Sequence, residues 1–462
     1  MIARIGLLIS NTIGRFIPDP FVLALGLTVL TAILALTIGF DGGDPTDESP
    51  AIQLFNAWWN DTGIWKFLLF GMQMCLILVT GFALATSRPI TRAIRLLADI
   101  PNNSGSAAAM ISLIAMLVGL INWGLGLIVG ALLAYSCGRS LTRRAIPAHY
   151  PLICAAGYTG MLVWHGGLSG SAPLTMTTSK GLSSVLPQEI IEEMGIESVP
   201  LGDTIFSGLN IMVTIGLLIL VPMTLYLLAP RSREETTTTS DLGIADEDTT
   251  TPKQVERDSV LAIGLNYLVG LALVLGTFTY LASSEGGFGR IGLNQINATM
   301  LGLGMLLHGS PRSYMGAIEE AARGCAGIIV QFPLYAGIMI MMSVSGLAGM
   351  IANVAVDYSN QTTLPLLTFL SAGVVNFFVP SGGGQWGVQG PIALEAGAAA
   401  GIPPSTMIMS VAYGDELTNM LQPFWALPLL AITRIKASAI VGYTAIVMVV
   451  AGLWMAFSLL VA

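Results

Sequence analysis

Two adjacent acids interrupt an apolar segment near the C-terminus, and they are the strongest candidates for chemistry in this sequence. Asp415 and Glu416 stand in the run GDELTNMLQP (414–423). A carboxylate inside a membrane is costly and is by default a candidate for function. Either acid could carry a proton, or could bind Na⁺ together with Asn419 and nearby carbonyls. The alternative is an acid that caps a helix at shallow depth, and we favour a functional role for at least one of the pair.

Three further polar breaks interrupt apolar segments, and they read INWGLG (121–126), HGGLSGSAP (165–173) and PSGGGQWGVQGP (380–391). Backbone that leaves a helix at membrane depth exposes unpaired amides and carbonyls, which a ligand can satisfy. Glycine lets a ligand approach the backbone closely, and the N-terminus of a half-helix favours an anion. Glycine-packed helix contacts are the alternative. Four breaks at matching places in the two halves favour a binding site.

Neutral donors predominate in these breaks, because none of the four contains lysine or arginine. A carboxylate there would be held by backbone N–H groups and by hydroxyl and amide side chains, and neutral donors release an anion more readily than a buried arginine would. The candidate substrate-binding residues are Asn122, Gly124, Ser169, Ser171, Asn376, Ser381, Gly382, Gly383 and Gln385. No catalytic residue is predicted. No cofactor is expected, apart from Na⁺ at Asp415 and Asn419 as one of the two coupling alternatives.

Four aromatic residues beside the breaks have two interpretations each. His165 is either a proton carrier or substrate donor, or a neutral packing histidine. Trp123, Trp386 and Trp425 either line an apolar wall for a short acyl chain or serve as ordinary packing residues. The residue types alone do not separate these roles.

The elements that must position these residues are membrane helices. Of the 462 residues, 54% are hydrophobic and 10% are charged, whereas soluble domains are about one quarter charged. The sequence lacks a basic stripe interleaved with aromatic residues, which is the pattern typical of nucleic-acid binding. Segments of spanning length lie near 20–40, 64–86, 147–177, 203–229, 259–282, 293–308, 325–352, 403–432 and 437–461. The fold class is therefore an all-α integral membrane protein with about nine full spans.

Two more segments, 105–138 and 364–400, are too long for one span and too short for two. Each has a glycine-rich polar centre, which predicts a re-entrant hairpin that enters and leaves on one side. With both hairpins and a cytoplasmic N-terminus, 16 of the 19 basic residues fall on the inside, as expected for a membrane protein. The inside residues are Arg4, Arg15, Arg88, Arg92, Arg95, Arg139, Arg143, Arg144, Arg231, Arg233, Lys253, Arg257, Arg312, Arg323, Arg434 and Lys436. Lys66, Lys180 and Arg290 fall outside.

The chain divides into two halves of matching order. Residues 1–229 form a first repeat with hairpin 105–138 and broken span 147–177, and residues 259–462 contain an adapter span and a second, inverted repeat with hairpin 364–400 and broken span 403–432. Broken helices then meet near the midplane. Between the halves, 230–258 is rich in threonine and acids. It predicts a solvated cytoplasmic linker, so that deletion of 236–250 should leave transport largely intact.

These motifs together resemble the bacterial short-chain fatty acid transporter family over nearly the whole chain. The matching runs are PDP (18–20), FGMQM (70–74), INWGLGLIVGA (121–131), GDTIFSG (202–208), VQFPLYAGI (330–338), PSGGGQW (380–386), QGP (389–391) and QPFWALP (422–428). The resemblance implies uptake of acids such as acetoacetate and butyrate. It also implies kinship with the ion-transporter superfamily, whose members are typically homodimers with a scaffold and an elevator-type moving domain. The family usually lacks His165, so the resemblance implies no general role for that residue.

We therefore expect a multi-pass carrier of the bacterial inner membrane, coupled to H⁺ or Na⁺, whose partners are a short-chain carboxylate and the lipid bilayer. Spans near 20–40, 64–86, 293–308 and 325–352 would supply much of the scaffold. One alternative is an intramembrane serine protease, because residues 167–170 fit G-x-S-G and His308 follows later. Another alternative is an anion channel.

Overall fold

The computed structural model describes residues 7–8, 12, 18–40, 48–183, 191–192, 195–244, 258–283 and 292–461. Twenty α-helices and no strand occur in this described part of the chain. The helices are α1 (Pro20–Ile38), α2 (Pro50–Trp59), α3 (Leu68–Thr86), α4 (Arg88–Ala98), α5 (Ser104–Ile121), α6 (Trp123–Arg143), α7 (Tyr150–Tyr158), α8 (Ser171–Thr175), α9 (Ser179–Ser183), α10 (Gly208–Leu228), α11 (Val260–Ala282), α12 (Leu293–His308), α13 (Pro311–Ala322), α14 (Ala326–Val344), α15 (Leu347–Asp357), α16 (Leu364–Phe378), α17 (Gly382–Ala399), α18 (Pro404–Thr418), α19 (Pro423–Thr433) and α20 (Ala437–Val461).

Long apolar helices confirm a multi-pass membrane protein. Within the described ranges, eight helical stretches are long and apolar enough to cross a bilayer. They are α1, α3, α5, α6, α10, α11, α20 and the continuous stretch Pro311–Val344 formed by α13 and α14. Two predicted spans, 147–177 and 403–432, are each divided into shorter helices. Among the basic residues used for orientation, Arg4, Arg15, Lys253, Arg257 and Arg290 lie outside the described residues.

The first hairpin consists of α5 and α6, which turn at Asn122 and pack against each other. Its two outer ends meet, because the Arg144 guanidinium donates to the carbonyl of Asp99 at 2.9 Å, to Asn102 Oδ1 at 3.2 Å and to the carbonyl of Pro101. The basic clusters before and after the hairpin therefore lie on the same side. The arms have 18 and 21 residues, or about 27 and 32 Å at 1.5 Å per residue. These arms are longer than expected, and the re-entrant path stays a prediction.

The second hairpin consists of α16 and α17, joined by residues 379–381. Gln385 and Gln389 tie its arms together: Gln385 Nε2 donates to the carbonyl of Ala372 at 2.8 Å, and Gln389 Nε2 donates to Ser371 Oγ at 3.0 Å. Gln385 also donates to Gln389 Oε1 at 3.0 Å. These amides satisfy polar groups that a tightly packed apolar hairpin would otherwise leave unpaired.

Glycines bring α5, α6 and α7 into backbone contact. A methyl group at Gly130 would lie 2.1 Å from the carbonyl oxygen of Gly157, and one at Gly119 would lie 2.6 Å from that of Gly160. Real side chains cannot occupy such space, so only glycine permits this approach. Close packing of small residues is a common way for membrane helices to associate. The first hairpin and α7 are therefore packed as one unit.

Packing divides the remaining helices between two groups. The first hairpin packs against α7 and the second hairpin packs against α18, and α10 and α20 pack beside them. Helices α1, α3, α11, α12, α13 and α14 form the other group through the pairs α1–α14, α3–α12, α11–α12 and α3–α13. Gln73 and Asn294 link α3 to α12, with Gln73 Nε2 donating to Asn294 Oδ1 at 2.8 Å. We refer to the two groups as the hairpin group and the scaffold group.

Part of the predicted linker is attached to the protein. We call residues 236–244 the strap. Tyr150 N–H donates to the carbonyl of Thr237 at 2.8 Å, and Thr237 N–H donates to His149 Nδ1 at 3.1 Å. Thr239 is 2% exposed, and its hydroxyl contacts that of Thr142 at 2.9 Å. The expectation of a solvated linker is wrong for the attached residues of the strap, because backbone bonds of Thr237 and the buried side chains of Thr239 and Ile244 hold them against the protein. Residues 245–257 lie outside the described chain.

A short turn closes the strap on its solvent side. Thr238 N–H and the Thr238 hydroxyl both donate to Asp241 Oδ2 at 2.8 Å. These bonds, the backbone one first, stabilise the ionised carboxylate and lower the pKa of Asp241 below its usual range. Ile244 then returns to the protein and is buried.

Candidate functional site

The broken spans of the two halves meet at Asp415 and Glu416. His165 N–H donates to Glu416 Oε2 at 2.8 Å, and Gly166 N–H donates to the same oxygen at 3.4 Å. His165 Nδ1 lies 2.5 Å from Asp415 Oδ2. Each of the three residues is at most 1% exposed. The first half thus supplies the donors and the second half supplies the carboxylates.

The hydrogen bonds of His165 define its tautomer. Ala172 N–H donates to His165 Nε2 at 3.0 Å, so Nε2 is an acceptor and carries no proton. The ring proton must then be on Nδ1, where it points at Asp415 Oδ2. In this arrangement His165 is neutral, and Asp415 accepts its proton as a hydrogen bond.

No basic side chain compensates the two acids. In the described ranges, neither Asp415 nor Glu416 pairs with a lysine or arginine, and the ion pairs of Arg312 and Arg434 are made elsewhere, with Asp258 and Glu320. Buried carboxylates are expensive unless they are paired, protonated or bound to a cation. The site therefore has capacity for an added positive charge.

A second polar cluster surrounds Asn376, close to these acids. Asn376 Nδ2 faces three oxygens: the carbonyl of Asp415 at 2.6 Å, Thr418 Oγ1 at 3.0 Å and Asn419 Oδ1 at 3.0 Å. An amide group has only two hydrogens for these three acceptors. Gln422 Nε2 donates to the carbonyl of Asn376. The amide oxygens of Asn376 and Gln422 are buried and have no partner among the described residues.

The break after α18 is fixed to the first half by a tyrosine. Tyr158, the last residue of α7, donates its hydroxyl proton toward the carbonyls of Asn419 and Gln422, at 2.8 and 3.0 Å. Asn419 Nδ2 donates to the carbonyl of Met161 at 3.5 Å. Carbonyls freed by the 3₁₀ turn at Asn419–Leu421 thereby find donors from the other half.

The main-chain N–H groups at the tip of the first hairpin have side-chain acceptors. Asn122 Oδ1 accepts from Gly124 N–H at 2.9 Å and from Leu125 N–H at 3.2 Å, and Trp123 N–H donates to Ser169 Oγ at 3.0 Å. Asn122 is thus the N-cap of α6. Gly124 faces Ile77 of α3, because a methyl group there would lie 3.3 Å from Ile77 Cδ1. These bonds engage Asn122 Oδ1 and the Gly124 N–H within the hairpin itself, and a role of either residue in holding a carboxylate stays a prediction.

The tip of the second hairpin retains free donors. Gly382 and Gly383 begin α17, and their N–H groups have no acceptor among the described residues. A methyl group at Gly383 would lie 4.0 Å from Cβ of Ser171, so the tip faces the break that contains Ser169 and Ser171. Ser381 caps the helix by accepting from Gly384 N–H at 3.3 Å.

The predicted substrate-binding residues therefore separate into two sets. Five of them lie at the two hairpin tips or in the break that the tips contact: Ser169, Ser171, Ser381, Gly382 and Gly383. Asn376 belongs to the cluster around the acids, and the amide hydrogens of Gln385 serve the second hairpin itself. Sequence reasoning missed Trp164, whose indole N–H is buried and has no partner within the described ranges. Its packing between Trp123 and Gly382 depends on long-range contacts that no local motif reveals.

Aromatic side chains join the hairpin group to the scaffold group. Trp123 lies against Trp425 with ring centroids 5.0 Å apart, and Phe70 of α3 lies 6.3 Å from Trp123 and stacks on Phe332 of α14 at 5.5 Å. Trp386 packs within α17 instead, beside Gly390. Two of the three predicted tryptophans therefore share one apolar wall.

The geometry around Ser169 does not support a protease. Ser169 Oγ accepts from Trp123 N–H, and His308 is engaged elsewhere. His308 Nε2 contacts the carbonyl of Ala83 at 2.7 Å, and its Nδ1 contacts Ser313 Oγ at 3.0 Å. A serine nucleophile needs a base within hydrogen-bond reach, and His308 does not provide it.

Known proteins resemble this chain along its whole length. The family model described as short chain fatty acid transporter matches residues 1–462. Two relatives are provisionally named short-chain fatty acid transporters: one from Escherichia coli K12, 39% identical, and one from Haemophilus influenzae, 38% identical, each over 96% of this chain and 96% of the relative. Among solved structures, the YdaH transporter of Alcanivorax borkumensis has a TM-score of 0.44 at 17% identity, covering 96% of this chain and 97% of that one. MtrF of Neisseria gonorrhoeae, from a class of antimetabolite efflux pumps, has a TM-score of 0.42 at 15% identity, covering 98% of this chain and 97% of that one. The match to the family model and the two relatives establish that this chain belongs to the short-chain fatty acid transporter family.

Proposed function

We propose that this transporter is a secondary carrier that takes up short-chain monocarboxylates of the acetoacetate and butyrate type together with H⁺ or Na⁺. One observation carries the proposal: two buried acids without a basic partner among the described residues lie beneath the tip of the second hairpin, whose first N–H groups have no acceptor there. The names of the relatives support the class of substrate. Membership of a transporter family also means that the protein is not an enzyme.

The substrate carboxylate would bind between the hairpin tips. Gly382 and Gly383 offer free N–H groups at the start of an 18-residue helix, whose dipole favours an anion there. The hydroxyls of Ser169, Ser171 and Ser381 add donors without a fixed charge. The apolar wall formed by Trp123 and Trp425 would cover a short acyl chain.

Coupling follows from the charge of the site. Uptake of an anion against a negative-inside potential costs about 2.3 kcal/mol for each charge per 100 mV. A cation carried with the anion removes that cost. Asp415 and Glu416 would accept H⁺, while Asp415, Asn419 and the unpartnered oxygen of Asn376 would provide ligands for Na⁺. The site thus supports both forms of coupling, and the uptake experiment separates them.

The proposal extends to the assembly and to the location. We place the carrier in the bacterial inner membrane with a cytoplasmic N-terminus, as a homodimer in which the hairpin group moves past the scaffold group. The positive-inside distribution supports the orientation, and the aromatic boundary between two packed groups supports movement of one past the other. The mass of the detergent-solubilised protein after correction for detergent tests the dimer.

Labelled butyrate uptake into proteoliposomes tests the function, with inward Na⁺ and H⁺ gradients imposed separately. Accumulation is expected with one gradient and not with the other, and unlabelled butyrate inside should accelerate entry of the label. Reconstituted protein that accumulates no short-chain acid under either gradient would refute the proposal. Flux without trans-acceleration would instead indicate a channel.

A further inference from the structure

His165 links the two halves of the chain through both its main chain and its ring. Its main-chain N–H binds Glu416, its Nδ1 binds Asp415, and its Nε2 accepts from Ala172 at the start of α8. The ring also stacks on Trp164, with centroids 4.5 Å apart and planes at 20°. Both ring nitrogens are used, and the stacking holds the plane of the ring. A histidine needed only to fill space would not require this full set of partners.

The tip of the second hairpin rests on the His165–Asp415 pair. A methyl group at Gly382 would lie 2.9 Å from His165 Cε1, 2.8 Å from Trp164 Cη2 and 3.3 Å from Asp415 Oδ2. Glycine is therefore the residue that lets this tip close onto the pair. The free N–H groups of Gly382 and Gly383, which we assign to the substrate carboxylate, begin at this contact.

We propose that His165 is a positioning residue for coupling, which holds the Asp415 carboxylate beneath the tip of the second hairpin. Through this bond, the position of the coupling acid and the position of the substrate-binding tip depend on each other. The inference rests on the proposed function, because it names how the cation site and the anion site of that carrier communicate. His165 acts through Asp415 and the tip, and it does not itself hold the substrate.

Two substitutions separate the two ring nitrogens. An asparagine places its amide near the position of Nδ1, so H165N retains a donor to Asp415 but loses the acceptor for Ala172. A glutamine places its amide near the position of Nε2, so H165Q retains the acceptor for Ala172 but loses the bond to Asp415. Both remove the titratable imidazole, and H165A removes both bonds.

The experiment measures labelled butyrate uptake as the concentration of the coupling cation is varied. We expect H165Q, like H165A, to raise the half-saturating cation concentration about tenfold or more, as loss of a supporting partner typically does. H165N should lie clearly closer to the wild type than H165Q does. Thermal unfolding of each purified variant shows whether the substitution only impairs folding. Equal effects of H165N and H165Q on the half-saturating concentration, in folded protein, would overturn the proposal.

A pair of glycine substitutions tests the contact of the tip independently of His165. G382A should reduce butyrate exchange strongly, because its methyl group meets Trp164 and His165. G387A lies on the same helix, where a methyl group meets nothing within 4 Å, and it should exchange like the wild type. Equal exchange by G382A and G387A would overturn the proposed contact. A wild-type protein that transports no short-chain acid would refute the proposed function, whereas a transporting wild type with unaltered His165 variants would refute only this inference.

Discussion

Asp415 and Glu416 come from the second half of the chain, but their hydrogen-bond donors come from the first. His165 supplies both a main-chain and a ring donor, and Gly166 supplies another main-chain donor. Substitutions other than proline leave these main-chain donors in place, so the acceptor role of Glu416 does not depend on a neighbouring side chain. Asp415 instead depends on a side chain. The two adjacent acids are therefore held by different means, and they should respond differently to neutral substitution.

Neutral variants of the acids test coupling at the residue scale. D415N and E416Q keep the size and an acceptor oxygen of each side chain, so both proteins should fold. We expect at least one of them to lose gradient-driven accumulation of butyrate, by about tenfold or more, because the site can no longer carry the added positive charge. Uptake and passive exchange, measured in the same proteoliposomes, check this result.

The exchange assay distinguishes the coupling ions. A variant that lost a proton carrier should still exchange substrate, since exchange needs no net proton movement. A variant that lost a Na⁺ ligand should exchange poorly, and high Na⁺ should restore it. Accumulation like that of the wild type in both D415N and E416Q would show that neither acid is the coupling site.

At the scale of elements, the strap is ordered although its composition predicts a solvated segment. Residues 236–240 read TTTTS, with acids nearby, and such a stretch cannot bury large apolar side chains. It is ordered instead through backbone bonds to His149 and Tyr150 and through the buried Thr239. These partners lie some ninety positions away in the chain, so no local pattern identifies them.

Deletion of the strap should therefore be harmful, in contrast to the expectation from composition. Removal of residues 236–244 leaves His149 Nδ1 and the Tyr150 N–H without partners, at a cost of about 1–3 kcal/mol for each buried group. We expect a lower melting temperature and less butyrate uptake. The exposed Ser240 provides a control, because S240A should melt like the wild type. A deletion variant with unchanged melting temperature and uptake would show that the strap contributes nothing to stability.

Opposite access to the two hairpin tips is the second prediction at this scale. In a background without the buried Cys75, Cys137, Cys154 and Cys325, single cysteines at the exposed positions Ile121 and Gly387 would be labelled with an impermeant thiol reagent. I121C should react from the cytoplasm and G387C from outside. Labelling of both positions from one side only, in every condition, would contradict the inverted repeat.

The helices and breaks were predictable because membrane burial imposes long apolar runs, and glycine-rich polar runs interrupt them. Asn122 and Ser381 could be placed at hairpin tips for this reason. The partners of the acids were not predictable, since the bond between His165 and Asp415 joins residues 250 positions apart. The local role of Gln385 was also hidden, because a buried amide has the same composition signal whether it binds a ligand or the neighbouring arm.

At the scale of the whole molecule, the aromatic boundary is where the two groups of helices must slide if the carrier works as an elevator. Phe70 belongs to the scaffold group and Trp123 to the hairpin group, and their rings are 6.3 Å apart. We expect a bifunctional thiol reagent to cross-link F70C to W123C and to stop butyrate exchange, because the link joins the two groups.

A matched pair within the scaffold group is the control. Gln73 and Asn294 are hydrogen-bonded at 2.8 Å on α3 and α12. Cross-linking of Q73C to N294C should leave exchange largely intact, since both helices belong to the same group. Exchange that continues at the uncross-linked rate with F70C joined to W123C would exclude movement between these groups.

His149 connects parts of the chain that a ribosome makes at very different times. Its N–H binds Ser104, its Nδ1 accepts from Thr237, and its Nε2 contacts the hydroxyl of Tyr443 at 2.9 Å. Thr237 and Tyr443 are 206 positions apart (443 minus 237), so at about 5–20 residues per second Tyr443 follows Thr237 by about 10–40 s. During that interval the strap can close on the first half, while the Nε2 proton of His149 waits for its last partner. A nascent chain that stops before α20 would lack Tyr443, so the Nε2–H of His149 would be without this partner at the junction.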